Sequence, residues 1–204
     1  MTDPILHQAL WAPRPVEETL QIYANWAATY DADVQTAGYA TPMRVAQALA
    51  DRLPRTATLL DFGCGTGLSG RALCDAGFRT IDGTDISPEM LDVAQGRGIY
   101  RQLWQGTAGD MTGVHPGQYD AIVAAGVISL GAAPPDTLTL CLNHLAPGGI
   151  LAVSFNDPTL ADGSYDTTLK GELDAGRCTL QFRAHGDHLP GKGMGSDVIV
   201  LKRL

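Results

Sequence analysis

The sequence predicts an α/β fold: a seven-stranded, mostly parallel sheet with helices on both faces, a C-terminal antiparallel hairpin strand and an N-terminal helical lid. Three observations predict it. An apolar run from Thr58 to Leu60 ends in Asp61, meets Gly63, Gly65 and Gly67 at alternate positions, and passes into a helical pattern at Leu68. That is a buried strand, a tight turn and a helix opening, the start of a βαβ unit. Strand-like and helix-like stretches then alternate through the middle of the chain. Finally, residues 179–185 and 197–202 are strand-like and flank the glycine-rich HGDHLPGKGMGS, which reads as a hairpin.

Size and composition agree with this class. The chain has 204 residues, enough for one α/β domain over 1–204, with an arm and lid over 1–54 and the sheet core over 55–204. Apolar residues make up 45% and charged residues 18%, so the chain is globular and not disordered. A net charge of −8 argues against a broad nucleic-acid footprint and against an anionic membrane surface. Cys64, Cys74, Cys141 and Cys178 show no metal-ligand spacing and fit a reducing, cytoplasmic setting. Asp3 and the lack of a basic segment before an apolar run give no sign of a secretory leader.

In chain order, residues 1–15 carry three prolines and read as a loose arm. Residues 16–30 place Leu20, Tyr23, Trp26 or Ala27, and Tyr30 on one helical face, and residues 31–40 read as a loop broken at Gly38. Thr41-Pro42 reads as an N-cap with proline at the first helical position, and that helix runs to about residue 53, before Pro54. After the glycine turn, a helix over 68–76 ends at Gly77. The second strand spans 78–85, and Ser87-Pro88-Glu89 caps a helix with Met90, Leu91 and Ala94 facing inward. The third strand is expected over 99–107 and the fourth over 119–125. A helix follows from Pro134 to Leu145, then a Pro-Gly-Gly turn, a fifth strand ending before Asn156, and a further helix over 165–175.

The ligand is argued from charge. Gly65-x-Gly67-x-x-Gly70 also matches a dinucleotide fingerprint. A carboxylate at Asp61, however, would repel a pyrophosphate and suits a ligand bearing an ammonium group. Asp85 stands 20 residues past Gly65, where a nucleotide fold places the acid that grips a ribose, and it serves either ligand.

The stretch 59–70 resembles the first motif of the class I S-adenosylmethionine-dependent methyltransferases, an acid followed by x-G-x-G-x-G. GTDISPEML resembles their second motif. YANWAATYDADVQTAGYATP resembles the leader Y-x-x-W-A-x-x-Y-D followed by G-Y-x-x-P, and with GIYRQL, YDAIVAAGVIS and LAPGG it is similar to the Williams–Beuren syndrome region methyltransferase-like branch. The resemblance implies a Rossmann-like sheet with a reversed last strand, S-adenosyl-L-methionine as cofactor, and a lid closing over its methionine end through Tyr23, Tyr30 and Asp31. It implies further contacts from Gly63, Cys64, Gly65, Thr66 and Gly67, from Asp85 and Ile86, and from Ala125. The adenine acid after the third strand falls between Thr107, by position, and Asp110, the nearest carboxylate; Asp110 with Met111 is the candidate pair.

Methyl transfer asks mainly for alignment of a nucleophile with the sulfonium. A base is needed only where the acceptor must lose a proton. Of His7, His115, His144, His185 and His188, the last two flank the hairpin and are, with Tyr30, the candidate catalytic residues. No metal is expected. The aromatic residues Tyr23, Trp26, Tyr30 and Tyr39 suit a cation or flat ring. The expected acceptor is therefore a small molecule with a nitrogen, oxygen or sulfur nucleophile, without nucleic acid or membrane, on a monomer or homodimer. The competing readings are an NAD-dependent oxidoreductase and a non-catalytic cofactor-binding scaffold for a partner protein.

Overall fold

The structure, a computed structural model, describes residues 8–204; His7 and Pro4 lie outside the described residues. Seven strands form one sheet in the order β3-β2-β1-β4-β5-β7-β6. They are β1 (Thr58–Phe62), β2 (Thr80–Asp85), β3 (Gln102–Gln105), β4 (Ala121–Ala124), β5 (Ile150–Asn156), β6 (Cys178–Leu189) and β7 (Met194–Arg203). The first five are parallel, and β7 lies between β5 and β6, antiparallel to both. This is the Rossmann-like sheet with a reversed last strand.

The helices are α1 (Val16–Trp26), α2 (Tyr30–Thr36), α3 (Thr41–Ala50), α4 (Leu68–Asp75), α5 (Pro88–Gln95), α6 (Asp136–His144), α7 (Asp157–Asp162) and α8 (Ser164–Asp174). Alternation along the strands divides the core. Leu60, Ile122, Leu151, Ile199 and Leu201 pack with Leu138 and Leu142 of α6 and Leu169 of α8. Their neighbours Leu59, Val123, Ala152, Val198 and Val200 turn to the opposite face, against Val45 and Leu49 of α3 and Leu73 of α4. Each fully buried Val or Leu contributes about 1.5–3 kcal/mol, so the two layers hold the sheet from both sides.

Three differences from the sequence reading bear on the site. The expected loop 31–40 contains α2. Asp31 and Asp33 lie in its first turn, where the helix dipole favours them, and Trp26 Nε1 donates to Asp33 Oδ2 at 2.7 Å. With Val34 its only buried residue, this short helix shows no apolar periodicity. The expected N-cap Thr41 is instead the first residue of α3; Ala40 holds the cap position, and the Thr41 hydroxyl bonds His188 Nδ1 at 2.8 Å. The glycine-rich HGDHLPGKGMGS is mainly strand, so β6 and β7 exceed their expected lengths and meet in a 3-10 turn over Pro190–Lys192. Its glycines serve close approach: a Cβ on Gly195 would lie 2.4 Å from His185 Nε2, and one on Gly186 3.0 Å from the Arg44 guanidinium.

Smaller differences are a trimmed β3, which starts at Gln102 after Gly98 turns at φ +61, and the unexpected α7, capped by the Asn156 side chain accepting from Thr159 N. The hairpin tip holds the segment between α2 and α3: Ala40 N donates to the His188 carbonyl at 2.9 Å, and Gly191 N to the Ala37 carbonyl at 3.0 Å. Leu10, Trp26, Val34, Ala37 and Leu189 bury their side chains together there.

Candidate active site

A cleft of about 1240 Å³ opens at the carboxyl ends of β1, β2 and β4, beneath α1 and α2. Its floor is the glycine turn. Gly63 has φ +69, and a Cβ there would lie 2.5 Å from Val127 Cγ2, so only glycine passes this point. Gly67, at φ +91, is the N-cap of α4 and lies against Arg97 and Tyr100 instead of lining the cleft.

The expected cofactor residues mostly converge here. Gly63, Cys64, Gly65 and Thr66 line the floor, and Asp85 and Ile86 line the wall after β2. Thr107, Asp110 and Met111 border the far end, Ala125 closes the cleft beside β4, and Tyr23 and Tyr30 overhang from α1 and α2. Thr107 and Asp110 are both exposed at the rim; the Asp110 carboxylate accepts from its own neighbours Met111 N and Thr112 Oγ1. Asp85 Oδ2 accepts from Gly65 N at 2.8 Å and Oδ1 from Ser87 N at 2.9 Å. Burial raises its carboxyl above the ordinary range despite those bonds.

Asp61 lies one layer behind the lining, only 1% exposed. Its Oδ2 accepts from Ser69 Oγ at 2.6 Å and from the Tyr100 hydroxyl at 2.7 Å, whereas Oδ1 is buried with no hydrogen-bond partner. Burial pushes its carboxyl up to about 6, against the pull of the Ser69 and Tyr100 bonds. An orphaned acceptor beneath an acid–glycine turn fits a ligand that brings an ammonium group.

Asp31 does not face the cleft as a free contact. Thr66 Oγ1 donates to its Oδ1 at 2.6 Å, and Arg97, beyond the end of α5, pairs with its Oδ2. Arg97 carries no sequence signal and Tyr100 only its place in GIYRQL, because each acts through a fold contact with the glycine turn. Thr19 and Tyr39 also reach the cleft. The Tyr39 hydroxyl sits 2.6 Å from where a Cβ on Gly126 would stand.

A second cavity of about 480 Å³ adjoins the first; Tyr23, Tyr30, Tyr39, Gly126 and Ala132 border both. Burial raises the phenols of Tyr23, Tyr30 and Tyr39 above their ordinary value, which keeps them protonated. His188 lines this second cavity, with burial lowering it to about 4. His185 lines neither cavity; its Nδ1 bonds Asp197 at 2.9 Å on the hairpin, and its Nε2 stands 3.7 Å from Asp157. Of the other histidines, His144 Nδ1 bonds the Leu140 carbonyl and His115 is exposed, both away from the cavities.

A family model described as a methyltransferase domain matches residues 60–151. Human methyltransferase-like protein 27, of the Williams–Beuren region, is 34% identical over 161 residues, covering 77% of this chain and 65% of the relative. These likenesses support a class I S-adenosylmethionine-dependent methyltransferase. S-adenosyl-L-methionine is the cofactor of this family, and the NAD reading falls with that assignment.

The bovine 18S rRNA (guanine-N(7))-methyltransferase is 41% identical over 70 residues, covering 34% of this chain and 25% of that protein. The chain thus spans less than two thirds of the length of these relatives. A solved chain from the complex between the Haloferax volcanii Trm112 methyltransferase activator and its methyltransferase shares the fold. It has a TM-score of 0.66 and 18% identity, covering 89% of this chain and 97% of that one.

The expected partners are corrected by these relatives. An acceptor restricted to small molecules, with nucleic acid excluded and no protein partner beyond a second copy, does not stand beside a relative that acts on rRNA and a fold neighbour solved with an activator. The reason is physical: a net charge of −8 sums the whole surface, whereas a nucleobase is read locally and a partner can supply the basic surface. Among the described residues, no helix is long and apolar enough to cross a membrane.

Proposed function

We propose that this chain transfers a methyl group by in-line displacement to a nitrogen, oxygen or sulfur nucleophile. The acceptor presents one ring-sized group where the two cavities meet at Tyr23, Tyr30 and Tyr39. The bound cofactor supplies an electrophilic methyl on a sulfonium. The chain holds it: Asp85 offers its remaining lone pairs to the ribose, Asp61 places its carboxylate behind the glycine turn on the ammonium side, and the lid tyrosines cover the methyl side.

The adjoining second cavity, under the same tyrosines as the cofactor cleft, carries this reading. Its geometry suits catalysis by positioning and exclusion of water. The protonated phenols are donors and not bases, so Tyr30 orients the acceptor and does not deprotonate it.

Calorimetry with S-adenosylhomocysteine and NAD is the first test. The homocysteine product should bind with a micromolar dissociation constant, about −8 kcal/mol, and NAD should not saturate. Transfer of labelled methyl is then followed to ring nucleophiles, both free and within an rRNA fragment. Tight cofactor binding without transfer to either group would favour the scaffold reading.

A further inference from the structure

The second cavity has polar groups whose hydrogens are assigned by the bonds behind them. His188 is only 6% exposed, and its Nδ1 lies 2.8 Å from Thr41 Oγ1. Thr41 Oγ1 lies 3.0 Å from Ser196 Oγ, which accepts from Arg44 at 2.9 Å. A guanidinium can only donate. Ser196 therefore accepts from Arg44 and passes its own hydrogen to Thr41, and Thr41 passes its hydrogen to His188 Nδ1. The reverse order would leave the Ser196 hydrogen, in a fully buried side chain, with no acceptor. Neutral His188 thus carries its proton on Nε2, which has no partner among the described residues.

A separate relay orients Asn156, which is 5% exposed and lines the same cavity. Leu130 N donates to Thr159 Oγ1 at 3.0 Å, Thr159 Oγ1 donates to Asn156 Oδ1 at 2.6 Å, and Thr159 N donates to the same oxygen at 3.1 Å. The carbonyl of Asn156 is thereby occupied, and its amide hydrogens are left over. Among the described residues, the cavity lining includes no Asp, Glu, Lys or Arg.

We propose that His188 and Asn156 form a donor pair, fixed by the Arg44–Ser196–Thr41 and Thr159 relays, that selects an acceptor bearing an unprotonated oxygen, a carboxylate or ring carbonyl. His188 is then a specificity residue and not a general base, and a cationic acceptor head is disfavoured. This rests on the reading that the second cavity holds the methyl acceptor, and it names the chemistry that the acceptor must carry.

The test is long-range ¹H–¹⁵N spectroscopy on the whole chain labelled in histidine, with S-adenosylhomocysteine present. The expected result is a His188 ring in the Nε2–H form at neutral pH, with Nδ1 shifted as an acceptor. Addition of 4-hydroxybenzoate or guanosine should move the Nε2 resonance, and tyramine should not. A response to the acid points to a small carboxylate acceptor, and a response to guanosine to a purine carbonyl; either supports the proposal. An Nδ1–H ring, a response to tyramine alone, or no response to either oxygen probe overturns it. Thr41→Val, which removes the donor to Nδ1, should release the ring into a mixture of tautomers. Calorimetry of the homocysteine product separates the two levels: cofactor binding with an Nδ1–H ring sinks this proposal alone, and no cofactor binding sinks the functional reading.

Discussion

Arg97 and Asp31 form an ion pair that joins the second lid helix to the glycine turn. The same guanidinium donates through Nε to the Thr66 carbonyl, and Thr66 Oγ1 returns a bond to Asp31. The helix α2 and the glycine turn therefore share one polar clasp. Both partners are partly in water, which moderates its strength.

Arg97→Ala should open the clasp without unfolding the sheet. The expected outcome is weaker S-adenosylhomocysteine binding by about 1 kcal/mol, with faster protease cleavage between residues 27 and 40. Unchanged affinity together with unchanged protection would mean that the lid is held by its apolar seat alone.

Asp85→Ala removes the acceptor for Gly65 N and Ser87 N as well as the candidate ribose acceptor. Cofactor affinity should fall by roughly 1.5–3 kcal/mol, the scale of a hydrogen bond to a charged group. A folded variant with wild-type affinity by calorimetry would displace Asp85 from the site.

Asp61 should make cofactor binding depend on pH. Its carboxyl is raised to about 6 by burial, and an ammonium ligand favours the ionised form. Affinity should rise as pH increases through about 6 and then level off, and Asp61→Asn should flatten the profile. For folding the sign is opposite: the stability linked to this raised carboxyl is present below its unfolded value of about 3.9 and is lost as pH rises through the folded value. A titration of affinity that stays level from pH 5 to 7 would remove Asp61 from ammonium binding.

Asp82 should contribute to stability against acid. It is 0% exposed and accepts from Arg101 at 2.6 and 2.9 Å and from the Tyr119 hydroxyl at 2.8 Å. Burial acts to raise its carboxyl, but the Arg101 and Tyr119 bonds prevail and hold it below the ordinary range. Its stabilisation is present above the unfolded value of about 3.9 and is lost as pH falls through the lower folded value. Arg101→Ala leaves a buried acceptor short of partners and should cost about 1–3 kcal/mol in urea unfolding at neutral pH. Asp82→Asn should blunt the loss of stability at acid pH.

What was legible in the sequence was local. The turn from Asp61 to Gly67 follows from glycine spacing, Asp85 from its offset, and the Ser87 cap from Ser-Pro-Glu, because each is decided within a few residues. The lid helix α2 was missed because one buried valine in seven residues makes no pattern. His188 stood out only as a histidine beside a glycine-rich loop. Its tautomer depends on Thr41, 147 residues away, and on Ser196 and Arg44 beyond that. The orientation of Asn156 depends on a cap that no charge or period announces.

The fastening of the segment between α2 and α3 to the hairpin tip also sets an order of assembly. Ala40 and Thr41 find their partners on His188 and Ser196, and Ala37 on Gly191. Thr41 precedes His188 by 147 residues, so the helices around it leave the ribosome before the hairpin that seats them. Trp26, 1% exposed, shares its buried cluster with Leu189 of that hairpin. The closing of β7 between β5 and β6, with the hairpin tip it carries, therefore completes the seat of the N-terminal helices.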